Sequence, residues 1–128
     1  MAETNKKILV VEDDITMREI LVSKLSSSGF TVVEADNGKS AVSVWQKDKP
    51  DLVLLDLMLP EADGFSVLGE IRKNPDSALA ATKVIILSNL WSKSDIERAK
   101  NLTIEEFLVK AYHTTEEILD EVKKVLYK

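Results

Sequence analysis

At 128 residues and 45% apolar content, the chain can bury the core of one compact domain without disulfides or a structural metal, and is too short for two. It contains no cysteine, which excludes disulfides, thiolate zinc sites and cysteine nucleophiles and suits a reducing cytoplasm. The net charge of −5, with both signs mixed along the chain, leaves no basic stripe with which the domain could bind nucleic acid by itself.

The first residues, Met1 to Lys7, are polar and lack the apolar stretch of a signal peptide. No apolar run approaches the ~20 residues of a membrane span, so the expectation is a cytoplasmic domain with no membrane insertion. Lys7-Ile-Leu-Val-Val11 is nearly continuously apolar and fits a strand covered on both faces. Asp14 is a candidate helix cap, followed by Met17, Ile20, Leu21 and Leu25 at helical spacing, with Gly29 where a helix would stop. Thr31-Val-Val-Glu-Ala35 is a weaker strand signal, and Ala41, Val44 and Trp45 mark a second helix. Asp51-Leu-Val-Leu-Leu55 is a third strand, and Phe65, Leu68 and Ile71 mark a third helix after Gly64.

Lys83-Val-Ile-Ile-Leu87 is the fourth strand, and Ser94-Asp-Ile-Glu97 reads as a capping box opening a fourth helix. With only Ile96 and Ala99 to bury, that helix should be the least firmly held. Glu106-Phe-Leu-Val109 is a fifth, weaker strand. Thr114-Thr-Glu-Glu117 is a second capping box, opening a last helix with Ile118, Val122, Val125 and Leu126 on one face. Five strand–helix units in strict alternation predict an α/β fold with a parallel sheet and helices on both sides.

The residues that end the strands carry the chemical information. The first strand runs into Glu12-Asp13-Asp14, the third into Asp56, the fourth into Ser88 and the fifth into Lys110. In open α/β sheets ligands bind outside the carboxyl ends of the strands. Asp14 is better explained as a cap, and Ser88 or Lys110 alone would be ordinary. Asp56 is different, because it is a lone carboxylate between Leu54-Leu55 and Leu57-Met58-Leu59, and a buried carboxylate is costly without partners. Clustered carboxylates repel one another and are relieved by a hard cation. Mg²⁺ takes one or two protein carboxylates and keeps waters for an incoming phosphate. A carboxylate nucleophile beside Mg²⁺, a lysine and a hydroxyl is a set of parts for phosphoryl transfer, with aspartyl phosphate as product.

Five pieces in order, Ile8-Leu-Val-Val-Glu-Asp-Asp14, Leu55-Asp-Leu-Met-Leu-Pro60, Asp63-Gly64, Ile85-Ile-Leu-Ser88 and Phe107-Leu-Val-Lys110, resemble the receiver domains of two-component response regulators. The likeness runs from Lys7 to the last helix, and implies a flavodoxin-like, doubly wound five-stranded sheet of order 2-1-3-4-5 flanked by five helices. It also implies roles. Asp56 resembles the phosphoacceptor, Asp13 the direct Mg²⁺ ligand, Glu12 a ligand through water, and the Met58 backbone carbonyl a further ligand, with Mn²⁺ as a substitute metal. Ser88 resembles the switch hydroxyl, Lys110 the lysine that contacts the phosphoryl group, and Phe107 the rotating aromatic. Ser88 would move to the phosphate and Phe107 follow, shifting the face of fourth helix, fifth strand and fifth helix, with Trp91 as a reporter and Leu90-Trp91 equally readable as packing. Expected partners are a sensor histidine kinase or histidine phosphotransfer protein, a downstream protein target, and a second copy through that same face.

The expectation is one receiver domain over residues 1–128 with no output domain, phosphorylating itself from phosphohistidine or small donors and slowly losing the group, without enzymatic turnover. Three positions depart from the pattern. Ala111 follows Lys110 where a cis proline is usual, which predicts a trans bond, since a cis bond without proline costs roughly 3–4 kcal/mol. Asn89 stands where a small residue is common and could narrow donor access, and Leu102-Thr103 replaces a glycine-containing turn. A haloacid-dehalogenase-like phosphatase is disfavoured because Met58 stands where a second acid is needed, and a flavodoxin-like cofactor binder because Glu-Asp-Asp would repel phosphate. A receiver-like docking module indifferent to phosphorylation is the alternative that Ala111 and Asn89 keep open. His113, the only histidine, reads as a surface residue.

Overall fold

A computed structural model describes residues 6–61, 63–89 and 92–127; Leu90 and Trp91 lie outside the described residues. The chain runs β1 (Lys7–Val11), α1 (Ile15–Ser27), β2 (Thr31–Ala35), α2 (Gly38–Asp48), β3 (Leu52–Leu55), α3 (Gly64–Arg72), α4 (Ser77–Ala80), β4 (Lys83–Ser88), α5 (Lys93–Asn101), β5 (Glu106–Val109) and α6 (Thr115–Tyr127). The strands form one all-parallel sheet of order β2-β1-β3-β4-β5. That is the predicted doubly wound order, in which the chain reverses direction across the sheet between β1 and β3.

Period-two alternation divides the core into two layers. Ile8, Val10, Leu54 and Ile85 face one way and pack with Leu21 and Leu25 of α1 and Ile118 and Val122 of α6. Leu9, Val11, Val53, Leu55, Val84 and Ile86 face the other way and meet Trp45 of α2, Leu68 and Ile71 of α3 and Ala99 of α5. This two-sided covering is why β3 is buried at every position. Trp45 is wholly buried, and its indole N–H donates to Thr82 Oγ1 at 3.0 Å, so the largest core side chain leaves no orphan donor. On α1, Ile20 is exposed; Met17, Leu21 and Leu25 make a narrower stripe and Ile20 points off its edge.

Two further differences from the sequence reading concern helix starts. The sixth helix, α4, has four residues and buries none of them, so it has no apolar periodicity to detect; its one signal is Asp76, whose carboxylate accepts from the N–H groups of Ala78 and Leu79. The capping box of α5 is Ser92 with Asp95, not Ser94 with Glu97: Asp95 N–H donates to Ser92 Oγ and Ser92 N–H to Asp95 Oδ2, both at 3.1 Å. Ser94 lies in the first turn instead, its hydroxyl 3.0 Å from that of Ser92. The box on α6 is as predicted, with Thr114 N–H to Glu117 Oε1 at 2.8 Å and Glu117 N–H to Thr114 Oγ1 at 3.1 Å.

The Leu102-Thr103 turn reaches β5 without glycine. Thr103 takes φ 63°, a left-handed conformation that a β-branched residue rarely adopts. The Arg72 guanidinium holds the turn: Nε donates to Leu102 O (2.8 Å) and Thr103 O (3.0 Å), and Nη2 to Thr103 O (2.6 Å). Nη1 of the same group donates to Ala80 O and Thr82 O, so one side chain ties α3, α4 and the α5–β5 turn together. Among the described residues, no helix is long and apolar enough to cross a membrane.

Candidate functional site

The site forms where the neighbouring strands β1 and β3 release their chains at the same edge. Backbone pairing continues one residue past each strand: Glu12 N–H donates to Ala35 O (3.0 Å) and Asp56 N–H to Val11 O (3.1 Å). Both acids are therefore held by the sheet itself, and both are buried, at 2% and 4% exposure. Asp13, between Glu12 and the α1 cap, is exposed. Oxygens of Glu12, Asp13 and Asp56 lie within 4.8 Å of one another, a group able to hold a metal ion.

Lys110 follows β5 and reaches back across the sheet. Its Nζ lies 2.6 Å from Glu12 Oε1 and 2.8 Å from Asp56 Oδ2. Met58 N–H donates to the other Asp56 oxygen at 3.0 Å, and Asp14 N–H to Glu12 Oε2 at 3.1 Å. Each buried carboxylate thus has a charged and a backbone partner, which is the condition for keeping a charge out of water. Burial pushes the Glu12 carboxyl above its ordinary value; the Lys110 and Asp14 bonds pull it down, and the Asp56 charge pushes it up again. Burial also disfavours the Lys110 ammonium, but its bonds to Asp56 and Glu12 prevail and hold it above the ordinary lysine value.

The expected cap at Asp14 is present, its Oδ1 accepting from Met17 N–H at 3.1 Å. Gly64 opens α3 against the loop that carries Asp56. A Cβ there would stand 2.4 Å from the Asp56 carbonyl oxygen and 2.6 Å from Leu57 Cα, so the close approach requires glycine. Ser88 is fully buried at the end of β4, and Phe107, in β5, is half-buried against the second core layer. Met58 is 57% exposed at the mouth of the cleft. The cleft, about 710 Å³, is lined by the acids, Lys110, Asn89 and the loop from Leu57 to Pro60, and is roomy enough for a hydrated cation and a phosphoryl group.

All the predicted residues except Ser88 and Phe107 thus meet at this cleft; those two lie on β4 and β5 and do not line it. The Lys110–Ala111 bond is trans, as alanine predicts, and Lys110 reaches both acids nonetheless. His113 is half-buried rather than free on the surface, its Nδ1 3.0 Å from Val109 O. Two contacts escaped the sequence reading. Arg18 Nη1 donates to Glu12 O at 2.8 Å, with Nε on Glu34 Oε1 at 3.1 Å, and its place one turn into α1 was the available signal. Asn89 Oδ1 accepts from Ala111 N–H at 2.9 Å, a contact between two residues 22 apart that no local pattern announces.

Comparisons with known proteins agree with this fold. The sequence model of the response regulator receiver domain matches residues 8–123. The chemotaxis protein CheY of Bacillus subtilis (strain 168) is 33% identical over 121 residues, which span 94% of this chain and 97% of that protein. The probable transcriptional regulator ycf27 of Cyanophora paradoxa is 37% identical over 116 residues, 91% of this chain but 46% of the regulator; the chain spans less than half the length of such curated relatives. Among solved structures, the receiver domain of Francisella response regulator 1452 superposes with a TM-score of 0.82 at 31% identity, covering 96% of this chain and 97% of that one. The chemotaxis protein CheY4 of Vibrio cholerae does so with 0.85 at 26% identity, covering 94% and 98%. With its sheet order, its buried acid pair and a family match over nearly its whole length, the chain belongs to the receiver domain family of two-component response regulators.

Proposed function

We propose that the chain is a phosphoacceptor switch in which Asp56 takes a phosphoryl group from a phosphohistidine of a sensor histidine kinase or histidine phosphotransfer protein. One observation carries this reading: Asp56 is a buried carboxylate shared between the Lys110 ammonium and an acid cluster, lining an open cleft. A carboxylate oxygen of Asp56 attacks phosphorus as the P–N bond of the donor breaks, leaving an acyl phosphate and a neutral imidazole once that ring has regained its proton. Lys110, already beside Asp56, offsets charge on the phosphoryl oxygens, and the Ser88 hydroxyl donates to one of them.

The donor set is all oxygen, carries more negative than positive charge and sits in an open cleft, and it therefore fits a hard divalent cation. Asp13 and Asp56 would hold Mg²⁺ (or Mn²⁺) directly, with Glu12 through water and the Met58 carbonyl as a further ligand. The metal supplies charge neutralisation for the transferring group.

Phosphorylation adds about one negative charge and new acceptor oxygens at Asp56. Ser88 turns to meet them, Phe107 fills the space it leaves, and the face of α5, β5 and α6 takes a second packing that a partner protein or a second copy reads. The domain catalyses its own modification and slow dephosphorylation, not turnover of a diffusible substrate. The same reading puts it in the cytoplasm.

Intact-mass analysis after incubation with acetyl phosphate and Mg²⁺ tests the proposal. The expected result is a gain of one phosphoryl group, lost in Asp56→Asn and lost without the metal. No gain, together with no binding of beryllofluoride, would overturn it. A partner that bound Asp56→Asn as tightly as the phosphorylated parent would favour a docking module indifferent to phosphorylation.

A further inference from the structure

We propose that Asn89 is a positioning residue for Lys110, acting through a hydrogen bond to the Ala111 backbone. The inference rests on the role given to Lys110 above, and its test separates the two.

The last paired residues of β4 and β5 are Ser88 and Val109. Beyond them the strands part, and the chain after β5 enters a 3₁₀ turn at Lys110–Tyr112. The opening N–H groups of such a turn have no partner within it. The Ala111 N–H finds one outside, in Asn89 Oδ1 at 2.9 Å, so a side chain extends the sheet's cross-strand bonding past the point where the backbones separate. A backbone N–H can only donate, which fixes the amide of Asn89 with its oxygen inward.

Lys110 is thereby fastened on both sides. Ahead of it lies the β4–β5 pairing, and behind it the Asn89 bond. The turn is closed further on by His113 N–H to Lys110 O and by the His113 ring against Val109 O. This matters because the lysine stem has four carbons and no rigidity of its own; only a fixed starting point keeps its ammonium on Glu12 and Asp56.

The two unusual residues of the site are complementary. Proline at 111 would have no N–H to donate, and a small residue at 89 would have no oxygen to accept it. Asn89 together with Ala111 therefore does by a hydrogen bond what ring geometry would otherwise impose. Asn89 also directly follows Ser88, so the bond links the chain segments that bear the hydroxyl and the ammonium.

The test uses ¹⁵N-labelled parent, Asn89→Ala and Asn89→Asp without phosphodonor. Asn89→Ala should speed amide exchange of Ala111 and proton exchange of the Lys110 ammonium about fivefold, the factor expected for one lost hydrogen bond. Asn89→Asp keeps the accepting oxygen and should hold the Ala111 amide as in the parent. With acetyl phosphate and Mg²⁺, Asn89→Ala should slow Asp56 phosphorylation in the natural background and leave it unchanged in an Ala111→Pro background, where no donor exists. Unchanged exchange at Ala111 and Lys110 in Asn89→Ala, or an equal slowing in both backgrounds, would overturn the proposal. A parent that takes no phosphoryl group removes the phosphoacceptor reading alone, and the exchange rates then decide the positioning role.

Discussion

Helices α5 and α6 begin alike and are held very differently. Each opens on a reciprocal capping box, Ser92 with Asp95 and Thr114 with Glu117, with all four bonds between 2.8 and 3.1 Å. From there they diverge. α6 buries Ile118, Leu119, Val122, Val125 and Leu126, whereas α5 buries Ala99 alone and adds a stack of the Arg98 guanidinium on the Phe65 ring, 4.0 Å from its centroid. At about 1.5–3 kcal/mol for each large apolar side chain removed from water, the grip on α6 exceeds that on α5 severalfold. A cap decides where a helix starts; burial decides how firmly it stays. The weaker helix is the one that follows β4 and Ser88, so the element with least to lose by moving adjoins the proposed switch hydroxyl.

The largest expected effect comes from Ile118→Ala, which should lower global stability by about 2–5 kcal/mol in denaturant unfolding. A loss below about 1 kcal/mol would show that α6 is not anchored by its apolar face, and the contrast would fall. Next come the caps. Thr114→Ala should cost about 1 kcal/mol of global stability, because α6 opens only with the whole domain. Ser92→Ala should leave the unfolding midpoint nearly unchanged while speeding amide exchange within α5; equal midpoint shifts in the two variants would mean that both helices unfold with the core. The smallest effect belongs to Lys24→Ala. It removes the exposed ion pair of α1 with Glu116 of α6 and should change stability by no more than about 0.5 kcal/mol, since α6 is held by apolar burial and not by surface charge.

Much of this was legible in the sequence because it depends on local spacing. Alternation sorts Ile8 and Val10 to one layer and Leu9 and Val11 to the other. The thin apolar content of α5 was visible as Ile96 and Ala99 among charges, and the acids Glu12, Asp13 and Asp56 stand out where apolar strands end. Shorter-range details were less secure. The box of α5 moved from Ser94 to Ser92 because Ser and Asp recur in that segment and either serine could have headed it, and α4, at four residues, is too short to show an apolar period.

By itself the sequence determined the order of the strands and of the five longer helices, the two-sided burial of the sheet and the chemical kinds gathered at its carboxyl edge, because strand and helix periods are properties of neighbouring residues. Tertiary structure alone decided that one ammonium spans Glu12 and Asp56, that Arg72 secures a glycine-free turn at Thr103, and that Asn89 meets Ala111. Those contacts join residues 22 to 98 positions apart, and hydrogen bonds and ion pairs of a few ångströms become definite only once the sheet has set the distance between its strands.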